Sequence, residues 1–385
     1  MSRLSRRSFL SLLGAGGAGV ALAPAIGWRG HEALLGQGVS ARRADRLLAA
    51  RPGMIRLDSN ENPYGPGERV YATIRLHLTE SNRYPVQSED DLAAAIAEAN
   101  GILPDNLILG CGSGELLRAA VTAFTAKDRA LVAADPTFEA PANWAKFIGS
   151  PVVVTQVDAA LRLDLEAMLA GSRGAGLCYV CNPNNPTATV HGKAAVKDFV
   201  DRVGKVSPET TILIDEAYHE YVDDPSYGTA IPLALANPRV VVTRTFSKVF
   251  GMAGLRIGYA VGQPATLARM ASWLLGSNIS QLSLVAAAVA VGNRQHIALE
   301  QRRNRTARAY TRRFFEQAGY RVADSQANFL MVDVGRDARE FKLEGVKHKV
   351  AVGRQFLSHP NHVRVSIGTL TEMQRAIPIF RRMLA

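Results

Sequence analysis

The chain has 385 residues, enough for about two domains with a large core, and its 47% hydrophobic against 21% charged residues exclude a disordered polar chain. The net charge is +11, but residues 1–51 hold eight arginines against Glu32 and Asp45, a net of +6, which leaves only +5 for the rest. That balance argues against a strongly basic nucleic-acid-binding body, and three cysteines argue against a disulfide framework.

The N-terminal stretch "SRRSFLSLLGAGGAGVALAPA" (5–25) places twin arginines, Arg6 and Arg7, before a weakly apolar Gly/Ala run and an A-x-A-like "APA". It is too short and too glycine-rich for a membrane span and matches a twin-arginine export signal, with cleavage expected near Ala25. A chance basic–apolar N-terminus is the competing reading, and retention of the leader as an anchor stays open. Passage through the twin-arginine translocon predicts a periplasmic or other extracytoplasmic protein. It would fold before transport, which agrees with the lack of a disulfide framework. Residues 26–54 read as a linker with a short helix in "ARRADRLLAA".

From Ile55 onward strand-like and helix-like patterns alternate, which predicts an α/β fold. "NLILG" (106–110) is a short buried strand, and "GELLRAAVTAF" (114–124) has the spacing of an amphipathic helix. "ALVAADPTF" (130–138) and "GLCYVCNPNNP" (176–186) each run from an apolar strand into a polar turn. "TILIDEAYHEYV" (211–222) ends its strand in an acid, and "RVVVTRTFSK" (239–248) ends in a hydroxyl-rich turn with a lysine. "LRIGYAVG" (255–262) doubles back as a strand and brings Arg256 toward Lys248. Strands with so little alternation are buried on both faces. A mostly parallel sheet covered by helices is therefore expected, with its ligand at the strands' carboxyl ends.

Cys178 and Cys181 form a C-x-x-C without a second pair, and read as small buried strand residues; no metal site is expected. A helix pattern through Arg302 to Gln317, then "YRVADSQANFLMVDV" and "HVRVSIGT", predicts a smaller α+β unit. The arginines of "EQRRNRTARAYTRR" (300–313) read as that helix's solvated side. The expected division is a large domain over 55–285, opened by an arm at 55–85, and a small domain over 286–385.

Several turns carry chemistry. "LGCGSGELL" (109–117) is strand, glycine-rich turn and helix, which suits an anion at a helix N-terminus, though an ordinary strand–helix turn reads the same way. Asp215 at a strand end can hold a protonated ring nitrogen, with the phenol of Tyr218 and the amide of Asn185 near a ring oxygen. An N-capping Asp with a surface Tyr, and plain turn chemistry for "NPNNPT", are the competing readings. Lys248 in a partly dry site can form a Schiff base, while Thr245, Ser247 and Arg256 suit a phosphate. An amine, a phosphate site, an acid for a pyridine nitrogen and a donor for a phenolic oxygen together describe pyridoxal 5′-phosphate.

These motifs, with "LDSNENPYGP" (57–66), "NRYP" (82–85), "GSGELL" (112–117), "DPTF" (135–138), "DEAYHEYV" (215–222), "TFSKVFGMAGLRIGY" (245–259) and "VRVSIGT" (363–369), cover most of the chain from Asp58 onward. The chain resembles a fold-type I pyridoxal-phosphate aminotransferase of class I/II, close to the histidinol-phosphate aminotransferase branch. The resemblance implies that Lys248 forms the internal aldimine and then moves protons, that Asp215 pairs with the pyridine nitrogen, and that Tyr218 and Asn185 contact the phenolic oxygen. It implies that Phe138 stacks on the ring and that Gly112, Ser113, Gly114, Thr245, Ser247 and Arg256 surround the phosphate. Tyr84 would reach the phosphate of a neighbouring subunit, so a homodimer with shared sites is implied. Arg364 would bind the substrate carboxylate, Tyr64 and Asn328 would line the substrate side, and Arg354 in "VAVGRQF" (350–356) stands near where the histidinol-phosphate enzymes hold an arginine for the substrate phosphate.

The chain departs from the family pattern at Gly114, where many relatives have an acid, and at Ala188, where the motif has glycine. Histidine synthesis is cytoplasmic, so the export signal points away from that pathway. The expected reaction moves an amino group from an amino acid, or an amine related to histidinol phosphate, to a 2-oxo acid. Decarboxylation, elimination or cyclisation on the same fold, and a non-catalytic cofactor-binding module, are the rival readings.

Overall fold

The computed structural model describes residues 52–385. The export signal expected over 1–25, its cleavage near Ala25 and the segment 26–51 of the expected linker lie outside the described residues.

The chain opens with β1 (Ile55–Leu57), α1 (Glu68–Leu76) and α2 (Val86–Asn100). There follow β2 (Leu107–Gly110), α3 (Ser113–Phe124), β3 (Leu131–Asp135), α4 (Ala140–Phe147), β4 (Val152–Gln156), α5 (Leu165–Gly171) and β5 (Leu177–Cys181). Next come α6 (Lys193–Val206), β6 (Thr211–Asp215), α7 (Ile231–Ala236), β7 (Val240–Thr245), β8 (Gly258–Val261), α8 (Pro264–Ala271) and α9 (Gln281–Val291). Strands β2 to β8 form one sheet in the order β2–β8–β7–β6–β5–β3–β4. Neighbours are parallel except β8, which runs antiparallel to both β7 and β2.

Every residue of β5, β6 and β7 is buried, because helices cover both faces of the sheet. Side chains alternate between the two layers. Leu177, Tyr179 and Leu213 pack with Leu116, Val121 and Met270 from α3 and α8. Cys178, Val180, Ile212 and Ile214 face Ile96, Val200 and Ala287 from α2, α6 and α9. Cys178 and Cys181 are therefore buried strand residues, and no cluster of metal-ligating side chains occurs among the described residues.

The remaining elements are α10 (Arg294–Gln317), β9 (Arg321–Val322), β10 (Phe329–Asp333), α11 (Ala338–Lys347), β11 (Val350–Val352), β12 (His362–Ser366) and α12 (Leu370–Leu384). β10 lies between β9 and β12 in an antiparallel sheet, backed by the rings of Phe315, Phe341 and Phe380. A capping box fixes the start of α12: the Glu372 N–H donates to Thr369 Oγ1, and the Thr369 N–H donates to Glu372 Oε2.

Two boundaries differ from the sequence-based division. β1 does not join the main sheet; it pairs in parallel with β11 and buries Ile55 and Leu57 in the second core. The expected break at 285 falls inside α9, whose Ala286, Ala287 and Ala290 belong to the first core. On α10, Arg302, Arg305 and Arg313 are exposed as expected, but Arg308 turns inward onto Asp223.

Candidate active site

The carboxyl ends of β5, β6 and β7 place the turns after Cys181, Asp215 and Thr245 side by side. Asp215 is buried and accepts hydrogen bonds from Tyr179 Oη (2.9 Å) and Thr243 Oγ1 (3.2 Å), both donated from neighbouring strands. Burial pushes its carboxyl up to about 6, against the pull of those two donors. Among the described residues Asp215 makes no ion pair, so the protonated nitrogen of a pyridine ring would supply the cation it lacks. Tyr218 is 3% exposed, which removes the surface-tyrosine reading.

Lys248 follows β7 by three residues, in a turn held by the Ser247 N–H donating to Thr245 Oγ1 (3.1 Å). The side chain is partly buried; Nζ donates to the Asn60 carbonyl (3.1 Å) and stands 5.3 Å from the centre of the Tyr218 ring. Its dry surroundings, and then the charge of Arg364, bring the amine down to about 8. A substantial neutral fraction near physiological pH is what a nucleophilic lysine needs.

Tyr218 Oη accepts from Asn60 Nδ2 (3.1 Å) and Asn185 Nδ2 (3.3 Å). Arg364 donates from Nη1 to Asn185 Oδ1 (2.8 Å) and from Nη2 to the Asp58 carbonyl (2.6 Å). Arg364 Nε, Asn328 Oδ1 and Asp58 Oδ1 are buried polar atoms with no partner among the described residues. Such orphans are rare in native interiors, and this group is suited to a polar ligand that would satisfy them.

An anion cradle lies beside this cluster. Gly112 precedes α3 with φ +75°, which favours glycine, and a Cβ there would stand 2.3 Å from Arg256 Nη2, so a side chain would displace the guanidinium that lies across the helix start. A Cβ on Gly258 would come within 2.5 Å of the Ser113 nitrogen, so that glycine lets α3 approach β8. Arg256 Nη1 donates to Ser247 Oγ (3.3 Å), and Thr245 Oγ1 to the same oxygen (2.9 Å). Two hydroxyls, a guanidinium and a helix N-terminus thus converge where a phosphate would sit. Gly114 faces open space: a Cβ there would meet nothing within 4 Å. Phe138 is partly buried after β3, in a turn tied to "NPNNPT" through the Thr137 hydroxyl donating to Asn184 Oδ1 (2.7 Å). The amine, the unpaired acid, the paired amides and the anion cradle fit pyridoxal 5′-phosphate.

Not every expected residue joins the cluster. Tyr84 is 84% exposed and contributes nothing to the site of its own chain. Tyr64 is also exposed, beneath the guanidinium of Arg303 at 4.2 Å. Asn328 is buried and donates to the carbonyls of Asn60 (3.0 Å) and Glu61 (3.2 Å). Arg354 pairs with Glu139, next to Phe138, and lies 4.4 Å from the centre of the Phe356 ring. Sequence reasoning missed Asn60, Ser366, Tyr179 and Thr243. It also missed the buried Glu216–Arg244 pair (2.8 Å), one residue past Asp215. Asn60 sat in a quoted motif, but no local pattern distinguishes it from Asn62.

The family model "Aminotransferase class I and II" matches residues 52–380. A histidinol-phosphate aminotransferase of Symbiobacterium thermophilum is 32% identical over 334 residues, covering 86% of this chain and 91% of that protein. An aromatic amino acid aminotransferase of Mycolicibacterium paratuberculosis is 36% identical over 329 residues, covering 83% and 89%. The fold is shared with the crystal structure of histidinol-phosphate aminotransferase from Sinorhizobium meliloti in complex with pyridoxal-5′-phosphate, with a TM-score of 0.81 at 24% identity over 89% of this chain and 94% of that one. Fold, cofactor chemistry and sequence agree over nearly the whole described chain, which belongs to the class I and II aminotransferase family, the pyridoxal-phosphate-dependent transaminases of fold type I.

Proposed function

We propose that this aminotransferase binds pyridoxal 5′-phosphate at the carboxyl ends of β5–β7 and takes amino groups from a donor with a neutral side chain. When bound, the cofactor supplies a carbonyl carbon for the amine and an electron-withdrawing ring. Lys248 takes a proton from one carbon and returns it to the next, a role suited to an amine brought down to about 8. Asp215 keeps the ring nitrogen protonated. Arg256, Ser247, Thr245 and the start of α3 hold the phosphate. Arg364, with Nε still unbonded, takes the donor carboxylate.

The observation that carries the reading is Asp215, buried and without an ion pair among the described residues, near enough to Lys248 for the two charges to act on each other. Its test is the half-reaction of the loaded enzyme with an amino donor. The visible absorbance should pass to that of the amine form of the cofactor, and Lys248→Ala should slow turnover by about 10²-fold or more. Release of CO₂ or ammonia without that change would sink the transaminase assignment.

The donor class is supported by Arg354, whose charge is already matched by Glu139. A phosphorylated side chain would have to displace that carboxylate, whereas a neutral one would leave the Arg354–Glu139 pair in place. A homodimer with Tyr84 completing the partner's site is supported by the exposure of Tyr84 amid exposed Leu76, Leu78 and Val86. Export is supported by the twin arginines and leader composition of residues 5–25. Fractionation of cells expressing the protein with Arg6 and Arg7 changed to Lys tests it, with retention in the cytoplasm expected.

A further inference from the structure

Asn60 is 1% exposed, holds a left-handed φ of +54°, and has every polar group bonded. Its N–H donates to Ser366 Oγ (2.8 Å), and that hydroxyl donates back to Asn60 Oδ1 (2.7 Å). Its carbonyl accepts from Lys248 Nζ (3.1 Å) and Asn328 Nδ2 (3.0 Å). With Oδ1 held by Ser366, the amide can present only its N–H to Tyr218 Oη, at 3.1 Å. Asn185 is oriented in the same way. Arg364 occupies its Oδ1, so its Nδ2 also points at Tyr218 Oη. Two amide donors thus fill the acceptor positions of one phenol. Among the described residues that phenol donates to nothing.

We infer that Asn60 is a positioning residue for transamination: its amide, with that of Asn185, turns the hydroxyl proton of Tyr218 outward to the ring oxygen of the cofactor. This rests on the cofactor placement proposed above. A proton aimed at that oxygen draws off charge that would otherwise hold the proton next to it. A misdirected hydroxyl should therefore let the neighbouring proton persist to higher pH. The left-handed backbone has a purpose on this view, since it lets one residue offer its carbonyl to Lys248 and its side chain to Tyr218.

The test is a pH titration of the visible absorbance of the loaded enzyme, for the natural protein, Asn60→Gly, Tyr218→Phe and the double variant. Glycine tolerates the φ and keeps the carbonyl, so only the amide is lost. Asn60→Gly should raise the midpoint by about 0.5 pH unit or more, the scale of one hydrogen bond, and add no further shift once the Tyr218 hydroxyl is gone. An unmoved midpoint, or an equal shift with and without that hydroxyl, overturns the inference. Should Asn60→Gly fail to retain the cofactor, Ser366→Ala, which frees the amide to turn, is read by the same criterion. It should give a smaller upward shift, and an unmoved midpoint overturns the inference. Failure of the natural protein to take up pyridoxal phosphate overturns the function reading and this inference with it. A normal absorbance band with an unmoved variant midpoint overturns this inference alone.

Discussion

The buried carboxyl of Asp215 should cost the folded protein stability. Its carboxyl titrates near 3.8 in an unfolded chain and at about 6 when folded, so between those values the folded state binds more protons. Stability of the cofactor-free protein should fall as pH rises through that window, with the whole cost present above pH 6. Asp215→Asn should raise the melting temperature of the cofactor-free protein at pH 8, by a stability on the order of 2 kcal/mol. The gain should shrink toward pH 4, while the loaded variant loses activity. A gain that does not change with pH would show that the carboxylate is not the source. Glu139 belongs to the same scale. Glu139→Gln should release Arg354, and kcat/KM for a phosphorylated donor relative to an aromatic one should rise about 10-fold. An unchanged ratio would remove Arg354 from the donor pocket. Lys248, Asp215, Asn185 and Tyr218 were legible because each ends or follows an apolar run. Asn60 and Tyr179 were not, since an asparagine in a loop and a tyrosine within a strand signal nothing until their partners are in place.

The turns do at the level of elements what single side chains cannot. At Gly112 the φ of +75° favours glycine, and a side chain there would also push the guanidinium of Arg256 off the helix start. Gly112→Ala should lower cofactor affinity about 10-fold or more and destabilise the fold by about 1–2 kcal/mol, readable by cofactor titration and thermal melts. Ala188 holds the left-handed region at φ 62° where the family motif has glycine, so a non-glycine residue is accommodated in that turn. The main strands were legible because unbroken apolar runs end at polar turns. β1 was not: three residues with burial alternating along Ile55, Arg56 and Leu57 can join any open edge, and its partner β11 lies about 300 residues away.

At the scale of the whole molecule, the second core and the segment after β1 reach the first core through Arg364 on Asn185, through Asn60 on Tyr218, and through the Asn60 carbonyl that accepts from Lys248. The pocket forms where these cross-links meet the ends of the parallel strands. If Tyr84 completes a neighbour's site, Lys248→Ala and Tyr84→Ala proteins, each weak alone, should recover activity when unfolded and refolded together. Random pairing restores one site in half of the dimers, about one quarter of natural activity. No recovery, or a monomer by sedimentation, would remove the shared-site arrangement.

The α/β class, the positions of Lys248 and Asp215 just past apolar strands, the glycine-rich turn before α3 and the aminotransferase resemblance could all be read from the chain alone, because each is written in a short stretch whose spacing fixes local geometry. Tertiary structure alone decided that β1 serves the second core, that Arg354 is matched by Glu139, and that Asn60 joins Lys248, Tyr218 and Ser366. Those are contacts between residues tens to hundreds of positions apart. Which partners meet is set by how the layers pack, not by any pattern a short stretch of chain can carry.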